Sequence, residues 1–449
     1  HKISRRYFIR NLSLFSGGLV LACELGSEEK LPVPNADGNF SPNLFVELKP
    51  DGELMLTASR SEMGQGVRTS LTAVIADEMD ADWNRVKVVQ APGDDAYGNQ
   101  NTDGSRSIRT IYEPMRKMGA MARMMLVGAA AKRWQVSADQ CSTEKHYVIN
   151  DASGERLFYG ELIEEAMKQP LPENPVLKNP NEFVYIGKGL RSVDIDDFTS
   201  GRAVYGLDIK LPGMKYASIA RCPVTFGSVK SFNASEAKEI QGVEQVIEMS
   251  RVKKPFGSLG GVAVVANNSW SAIKGKEALT IEWDFGENQD YNTEEYAAVL
   301  KSNATKKGKL LREDGSVESA FKKANDIVEA VYELPHLVHA PMEAPNATAR
   351  FENGQCEVWA PVQAPQVTRK EVSDLLGIDL DKVKINVTLL GGGFGRKSKP
   401  DFVLEAAWLA REAGAPVQVI WTREDDIRHS YYHAISAQYM KAGLTDEGK

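Results

Sequence analysis

Apolar and polar positions alternate in short runs along most of this chain, with one long exception. Leu44-Phe45-Val46-Glu47-Leu48 and Glu53-Leu54-Met55-Leu56-Thr57 are strand-like runs flanking Lys49-Pro50-Asp51-Gly52. An Asp-Gly turn between such runs predicts a hairpin. The exception spans 113–134, where Met118, Met121, Met124, Leu126 and Ala129 recur at helical spacing. A methionine stripe of that kind reads as core packing. A shorter helix is predicted over 71–79. Residues 24–41 are polar and rich in Pro, Gly, Asn and Glu, and read as a spacer, with order expected from Leu44. The Pro- and Asn-rich passage 169–181 marks a boundary. Beyond it, Ala203-Val204-Tyr205, Tyr216-Ala217-Ser218-Ile219-Ala220, Val262-Ala263-Val264-Val265-Ala266 and Ala278-Leu279-Thr280-Ile281-Glu282 read as strands with short helices between them. The polar stretch 286–291 leads through helices to a third region. There Glu329-Ala330-Val331-Tyr332-Glu333 is expected to begin the sheet that carries Gln363 and a glycine loop.

That loop is Leu390-Gly391-Gly392-Gly393-Phe394-Gly395-Arg396-Lys397, entered from the apolar run Ile385-Asn386-Val387-Thr388-Leu389. A strand ending in so many glycines brings bare backbone close to something, and its N–H groups can turn onto an anionic or metal-bound oxygen. Phe394 would stand there as a shaped wall. Two further stretches place an amide among residues that open or restrict the backbone: Ser61-Glu62-Met63-Gly64-Gln65-Gly66-Val67-Arg68-Thr69 and Glu357-Val358-Trp359-Ala360-Pro361-Val362-Gln363-Ala364-Pro365-Gln366. Gln65 lies between two glycines just before a predicted helix, so backbone donors, the amide and the helix start can converge on a phosphate-like group. Gln363 precedes Pro365, which favours one fixed direction for its amide. Taken singly, such glutamines are more often ordinary turn and surface residues.

Composition narrows the classes. A chain of 449 residues carries 54 Lys and Arg against 61 Asp and Glu, a formal net charge of −7 with no basic stripe beyond the N-terminal segment, which argues against a nucleic-acid partner. Cys23, Cys141, Cys222 and Cys356 lie far apart, without CxxC or iron–sulfur spacing; Cys141, Cys222 and Cys356 read as isolated buried thiols, with one disulfide among them as the alternative. His429 and His433 stand at i and i+4, but Ser430-Tyr431-Tyr432 between them argues against a shared helix and a metal; His336 and His339 read as structural, and Glu343 as a packed acid.

Together the three loops resemble the large, molybdenum-binding subunit of the xanthine dehydrogenase/aldehyde oxidoreductase family, most closely the isoquinoline 1-oxidoreductase beta-subunit type. The resemblance extends to Ala76-Asp77-Glu78-Met79-Asp80-Ala81-Asp82-Trp83, Arg202-Ala203-Val204-Tyr205-Gly206-Leu207-Asp208 with Leu211-Pro212-Gly213-Met214, and His339-Ala340-Pro341-Met342-Glu343-Ala344-Pro345-Asn346-Ala347-Thr348-Ala349. It implies an α+β fold, with molybdopterin-binding domains of mixed sheets and helices around an α/β hammerhead domain, truncated at the C-terminus. The expected division is a signal segment over 1–30, a spacer over 31–41, an N-terminal molybdopterin-binding region over 42–180, the hammerhead domain over 181–290, and the first part of the molybdenum-binding domain over 291–449.

The resemblance also implies roles. Gln363 and Phe394 would be catalytic, Gln363 by bonding an oxygen ligand of molybdenum. Gly64, Gln65, Gly66, Ser105, Ser107, Gly392, Gly393, Phe394, Gly395 and Arg396 would contact the cofactor, a molybdenum-molybdopterin in its cytosine dinucleotide form. No protein side chain would ligate the metal, because the cofactor's own dithiolene does so. The activity implied is oxidation of an aldehyde or N-heteroaromatic with water as oxygen source, with electrons passing to a small [2Fe–2S] subunit and onward to a c-type cytochrome. Ser398 stands where xanthine dehydrogenases carry an acid, which disfavours purines. No glutamate here has the Gly-Val-Gly-Glu context of the family's proton acceptor, so the chain reads as an N-terminal portion or half of a split subunit. The alternative is a non-catalytic or vestigial exported binding lipoprotein of the same fold.

The N-terminus bears on location. Ser4-Arg5-Arg6-Tyr7-Phe8-Ile9-Arg10 is a twin-arginine pattern, followed by an apolar run over 12–22 too short to span a bilayer. Export of a folded, cofactor-loaded subunit to the periplasm is expected. Val20-Leu21-Ala22-Cys23 resembles a lipoprotein box, which makes Cys23 a candidate membrane anchor, although Leu21 replaces the usual small residue.

Overall fold

The computed structural model describes residues 39–448, which form two compact units. The twin-arginine segment and Cys23 lie outside the described residues. One unit comprises the chain up to Ala217, with Asn267–Ser269 and Pro345–Ile420; the other comprises Ser218–Ala266, Trp270–Ala344 and the chain from Trp421 onward.

In the first unit, β1 (Phe40–Asn43), β2 (Val46–Leu48), β3 (Leu54–Ala58) and β4 (Val86–Gln90) form a sheet in that order. The hairpin forms where the Asp-Gly turn requires it, with Val46 opposite Leu56 and Leu48 opposite Leu54. Phe40 and Ser41, expected within the spacer, already belong to β1, because Phe40 is an apolar anchor with no exposed surface. Helices α1 (Val67–Glu78) and α2 (Arg106–Trp134) pack on each other and share a core with this sheet through Leu54, Leu56, Leu71, Ile75, Met118 and Met121. α2 begins at Arg106 rather than at 113, and Pro114 lies inside it. Its first residues, Arg106-Ser107-Ile108-Arg109-Thr110, are mostly polar and carry no apolar period to read. Met124 is half-buried, its sulfur facing the Val176 N–H at 3.3 Å.

The acidic run 76–83 is a structural anchor. The Asp77 carboxylate, wholly buried, accepts the N–H groups of Tyr185 and Ile186 at 2.7 Å each and of Val184 at 3.1 Å, and pairs with Lys178 Nζ at 3.0 Å. Glu78, also wholly buried, takes Arg116 Nε at 2.6 Å and the Lys178 N–H at 3.0 Å. These bonds tie the 178–186 passage to α1, which apolar patterning in that passage could not do.

His146 is fully buried, and its Nδ1 accepts the Asp82 N–H at 2.6 Å. Protonation would set a donor against a donor. Burial, aided by Arg85, lowers its pKa from 6.5 to about 4. The unfolded chain therefore takes up this proton first. The contribution is complete above about pH 6.5 and is lost as pH falls toward 4, amounting to about 3 kcal/mol. Urea midpoints measured from pH 7.5 to 4.5 are expected to fall more steeply in the native chain than in His146→Phe, and identical slopes would remove His146 from the account.

The second sheet of this unit takes residues 215–217 of the strand Lys215–Ala220, then Val417–Ile420, Asn346–Glu352, Gln355–Ala360 and Val383–Val387 in that order. Gln355–Ala360 and Val383–Val387 are parallel, Ala360 lying opposite Val387. The segment carrying Gln363 and the glycine loop thus leave the same end of neighbouring strands. Ala203-Val204-Tyr205 is no strand: only Tyr205 bridges, to Leu389.

In the second unit, Val243–Met249 pairs with Gly261–Ala266 and Ser228–Asn233 with Thr280–Asp284, all antiparallel. The expected placement of Glu329–Glu333 is corrected here. Its strand, Asp326–Leu334, pairs with Ser436–Leu444 in a separate two-stranded ribbon and not with the sheet that carries Gln363. The alternation of residues fits either partner, and strand periodicity does not encode which one. His429 ends the helix Arg423–His429, whereas His433 lies beyond it and bridges Leu337. Cys141, Cys222 and Cys356 are free thiols. Among the described residues no helix is long and apolar enough to cross a membrane.

Candidate cofactor site

The three glycine- and glutamine-bearing stretches meet around one side chain. Gln363 is 1% exposed. Its Nε2 donates to the Thr102 carbonyl at 2.8 Å, its Oε1 accepts the Gly395 N–H at 3.0 Å, and its backbone N–H donates to the Lys397 carbonyl at 2.9 Å. Thr102 returns its N–H to the Gln363 carbonyl at 2.9 Å. The 61–69 loop joins through Ser61, whose N–H donates to Thr102 Oγ1 at 3.0 Å and whose hydroxyl donates to the Val362 carbonyl at 2.7 Å. Leu390, at the head of the glycine loop, donates its N–H to the Glu62 carbonyl at 3.0 Å. Residues hundreds of positions apart are thereby held in one rigid frame.

Gly393 is where that frame demands a glycine. A Cβ there would come within 2.6 Å of Gln363 Oε1 and 2.8 Å of Met63 Sδ, closer than real Cβ atoms approach. Next to it Phe394 takes φ +52° and stands 69% exposed, so the aromatic wall projects outward from a strained backbone. Ser105, at the start of α2, is also exposed and holds φ +54°. Ser107 is half-buried in the first turn of that helix.

Other expected contacts turn inward. Gln65 is exposed, but its amide closes its own loop, Oε1 accepting the Met63 N–H at 2.7 Å and Nε2 donating to the Ser61 carbonyl at 3.0 Å. The anion expected at the α1 start is supplied by the chain itself. Glu62 Oε1 accepts the N–H groups of Gly64 and Gly66 at 2.9 Å each, and Oε2 accepts that of Arg68 at 3.1 Å. A buried carboxylate so placed caps the helix and opposes its dipole. Arg396 has no exposed surface, and its guanidinium meets Asp401 in a two-pronged pair at 2.8 Å on each side, so its charge serves the fold rather than a ligand. Thr102, Ser61 and Glu62 are the residues that sequence reasoning passed over. Ser61 and Glu62 open the 61–69 stretch and Thr102 precedes Ser105, but none has a spacing that marks it.

Gln366 plays a similar joining part. Its Nε2 donates to the Gly98 carbonyl at 2.6 Å and its Oε1 accepts the Gln100 N–H at 3.1 Å. Both glutamines of the Trp359–Gln366 stretch therefore clamp the passage that leads to α2. Among the described residues no group of three or more His, Cys, Asp or Glu side chains is arranged to hold a metal ion. The frame offers neutral amide and backbone donors, an exposed aromatic and bare glycine backbone, a donor set that fits a metal arriving with ligands of its own.

Comparison with known proteins bears on this cluster from both sides. Residues 24–201 and 300–449 each match a family described as a molybdopterin cofactor-binding domain, and all the residues of the frame fall within these two stretches. The isoquinoline 1-oxidoreductase subunit beta of Brevundimonas diminuta is 29% identical, aligned over 99% of this chain and 62% of its own length. The membrane-bound pyrroloquinoline-quinone aldehyde dehydrogenase of Gluconacetobacter polyoxogenes is 31% identical over 90% of this chain and 53% of its own. Among solved structures, the aldehyde oxidoreductase of Desulfovibrio gigas superposes with a TM-score of 0.47 at 15% identity, covering 64% of this chain and 36% of that one. The chain thus spans little more than half the length of the two curated relatives.

Proposed function

We propose, from the premise that this chain belongs to the molybdenum-binding large subunits of the xanthine dehydrogenase/aldehyde oxidoreductase family, that the frame around Gln363 holds a molybdopterin-bound molybdenum in its cytosine dinucleotide form. The whole protein would oxidise an aldehyde or an N-heteroaromatic with water as oxygen source. The observation that carries this reading is the convergence of three separate loops on the buried Gln363 amide.

When bound, the cofactor would supply a metal centre able to accept an electron pair from substrate and deliver a water-derived oxygen. The chain's own part is positioning. The Gln363 amide is held from two sides, so a ligand oxygen reaching it meets a pre-set dipole rather than a rotating side chain. Gly393 permits close backbone approach, and Phe394 presents a flat apolar face suited to a planar ring. Ser398 turns its hydroxyl onto the Gly395 carbonyl at 2.6 Å and offers no charge to a purine. On the same reading electrons pass to a small [2Fe–2S] subunit and then a cytochrome, and residues 4–10 direct export to the periplasm.

Metal analysis by mass spectrometry of protein from its native host, with intact mass, is expected to find close to one molybdenum per chain. A molybdenum-free protein would overturn the proposal and leave a non-catalytic binding protein of this fold.

A further inference from the structure

Buried charge is concentrated where the glycine loop ends. Arg396, Lys397, Asp401 and Glu405 all lack exposed surface, and Arg396 Nη1 and Nη2 meet the two oxygens of Asp401 at 2.8 Å each. Taking both charges out of water offsets much of their attraction, and apolar residues of similar volume commonly leave a fold as stable. The helix does not need the pair either. Asp401 opens the helix Asp401–Ala413, which Phe402, Val403, Leu404 and Leu409, all without exposed surface, already fasten to the core. Stability does not account for the pair, which leaves the choice of one conformation over others as its use.

Its place shows which conformation is chosen. The backbone groups on either side of Arg396 are those that hold Gln363: the Gly395 N–H reaches Gln363 Oε1 at 3.0 Å, and the Lys397 carbonyl accepts the Gln363 N–H at 2.9 Å. The N–H of Arg396 itself closes a turn onto the Gly393 carbonyl at 2.9 Å. Inside that turn Phe394 sits at φ +52°, which a phenylalanine keeps only where its surroundings impose it. At the other end Asp401 is fixed by its place in the first turn, where the helix dipole favours a carboxylate. A strained loop is thereby tied to a rigid helix through the residue that stands between two Gln363 contacts.

We propose that the Arg396–Asp401 pair is the lock of the glycine loop. It holds the backbone on both sides of Arg396 in the conformation that pre-sets the Gln363 amide and keeps Phe394 turned outward. Arg396 and Asp401 are positioning residues and touch no ligand. That the lock serves a molybdenum cofactor rests on the function proposed above, whereas the locking of the loop does not.

The test uses the full chain with Arg396→Met and Asp401→Leu combined, which removes both charges and keeps the volume. Its melting temperature is expected to stay close to the native one. Hydrogen exchange, read residue by residue by mass spectrometry, is expected to quicken about tenfold or more at the Gln363 and Gly395 amides and to remain native at Leu409 and Ala410, further along the helix. Unchanged exchange at Gln363 and Gly395 would overturn the lock, and so would exchange that quickens equally along the helix, which marks a general loss of stability. Should the double variant fail to fold, Arg396→Lys decides, since it keeps a charge beside Asp401 but loses the two-pronged geometry: faster exchange at Gln363 and Gly395 alone supports the lock, and native exchange there sinks it. Molybdenum per chain in protein from the native host separates the lock from its service to the cofactor. Molybdenum that falls along with the protection supports that service, and a loosened loop with full molybdenum overturns it. Loosening at Gln363 and Gly395 in a protein whose native form holds no molybdenum leaves the lock standing while the functional reading fails.

Discussion

Replacing Gln363 by glutamate is expected to lower the stability of the protein by about 3–5 kcal/mol and to release the molybdenum that the native chain is proposed to retain. The amide donates to the Thr102 carbonyl through Nε2 and accepts from the Gly395 N–H through Oε1, with 1% of its surface exposed. A carboxylate keeps the acceptor but sets a buried negative oxygen against the Thr102 carbonyl. Protonated glutamic acid regains a donor, so the gap between variant and native denaturation midpoints should narrow as pH falls. Gln363→Ala leaves one buried carbonyl and one buried N–H unmet, costing about 1–3 kcal/mol each. Urea titrations across pH and molybdenum per chain are the readouts. An unchanged midpoint in the glutamate variant would mean that the three loops are not joined through this side chain.

The second large effect lies far from the chemistry. Asp77→Ala is expected to cost about 3–5 kcal/mol, because it removes the acceptor for Val184, Tyr185 and Ile186 and leaves Lys178 with Asp80 as its remaining acidic partner. Hydrogen exchange should show those three amides losing protection first. Burial alone would raise the Asp77 pKa, but the N–H groups of Ile186 and Tyr185, Lys178 and the Val184 N–H outweigh it and hold it below its ordinary 3.8. The sign follows: the contribution is full above about pH 4 and is lost as pH falls through the folded value. The difference between native and variant should therefore narrow in strong acid. Equal stability at neutral pH would refute the anchor.

The same two residues mark how much was legible. Gln363 was conspicuous in the chain because an amide between prolines after a strand is unusual, and its place at the centre of the site follows. Nothing local announced that its partners would be Thr102 and Gly395. Asp77 belongs to a run of acids with no local sign of burial, yet Asp77 and Glu78 have no exposed surface. Gln65 and Arg396 were equally conspicuous, and the fold turns one onto its own loop and the other onto Asp401. A motif reveals which groups are available but not whether an internal partner has already taken them.

The sequence by itself determined the hairpin at 49–52, the buried methionine face of α2, the two amide-bearing loops and the glycine loop, and through them the family. Each is a short-range pattern, set by turn chemistry or by the period of one element. Tertiary structure alone decided that the strand Asp326–Leu334 pairs with Ser436–Leu444, that Glu62 fills the α1 start, and that Arg60 is buried with its Nε and Nη1 unbonded. These depend on which distant groups arrive at a given carboxylate, strand edge or guanidinium. That is settled by the packing of the whole chain, where every buried donor and charge competes for the same few partners.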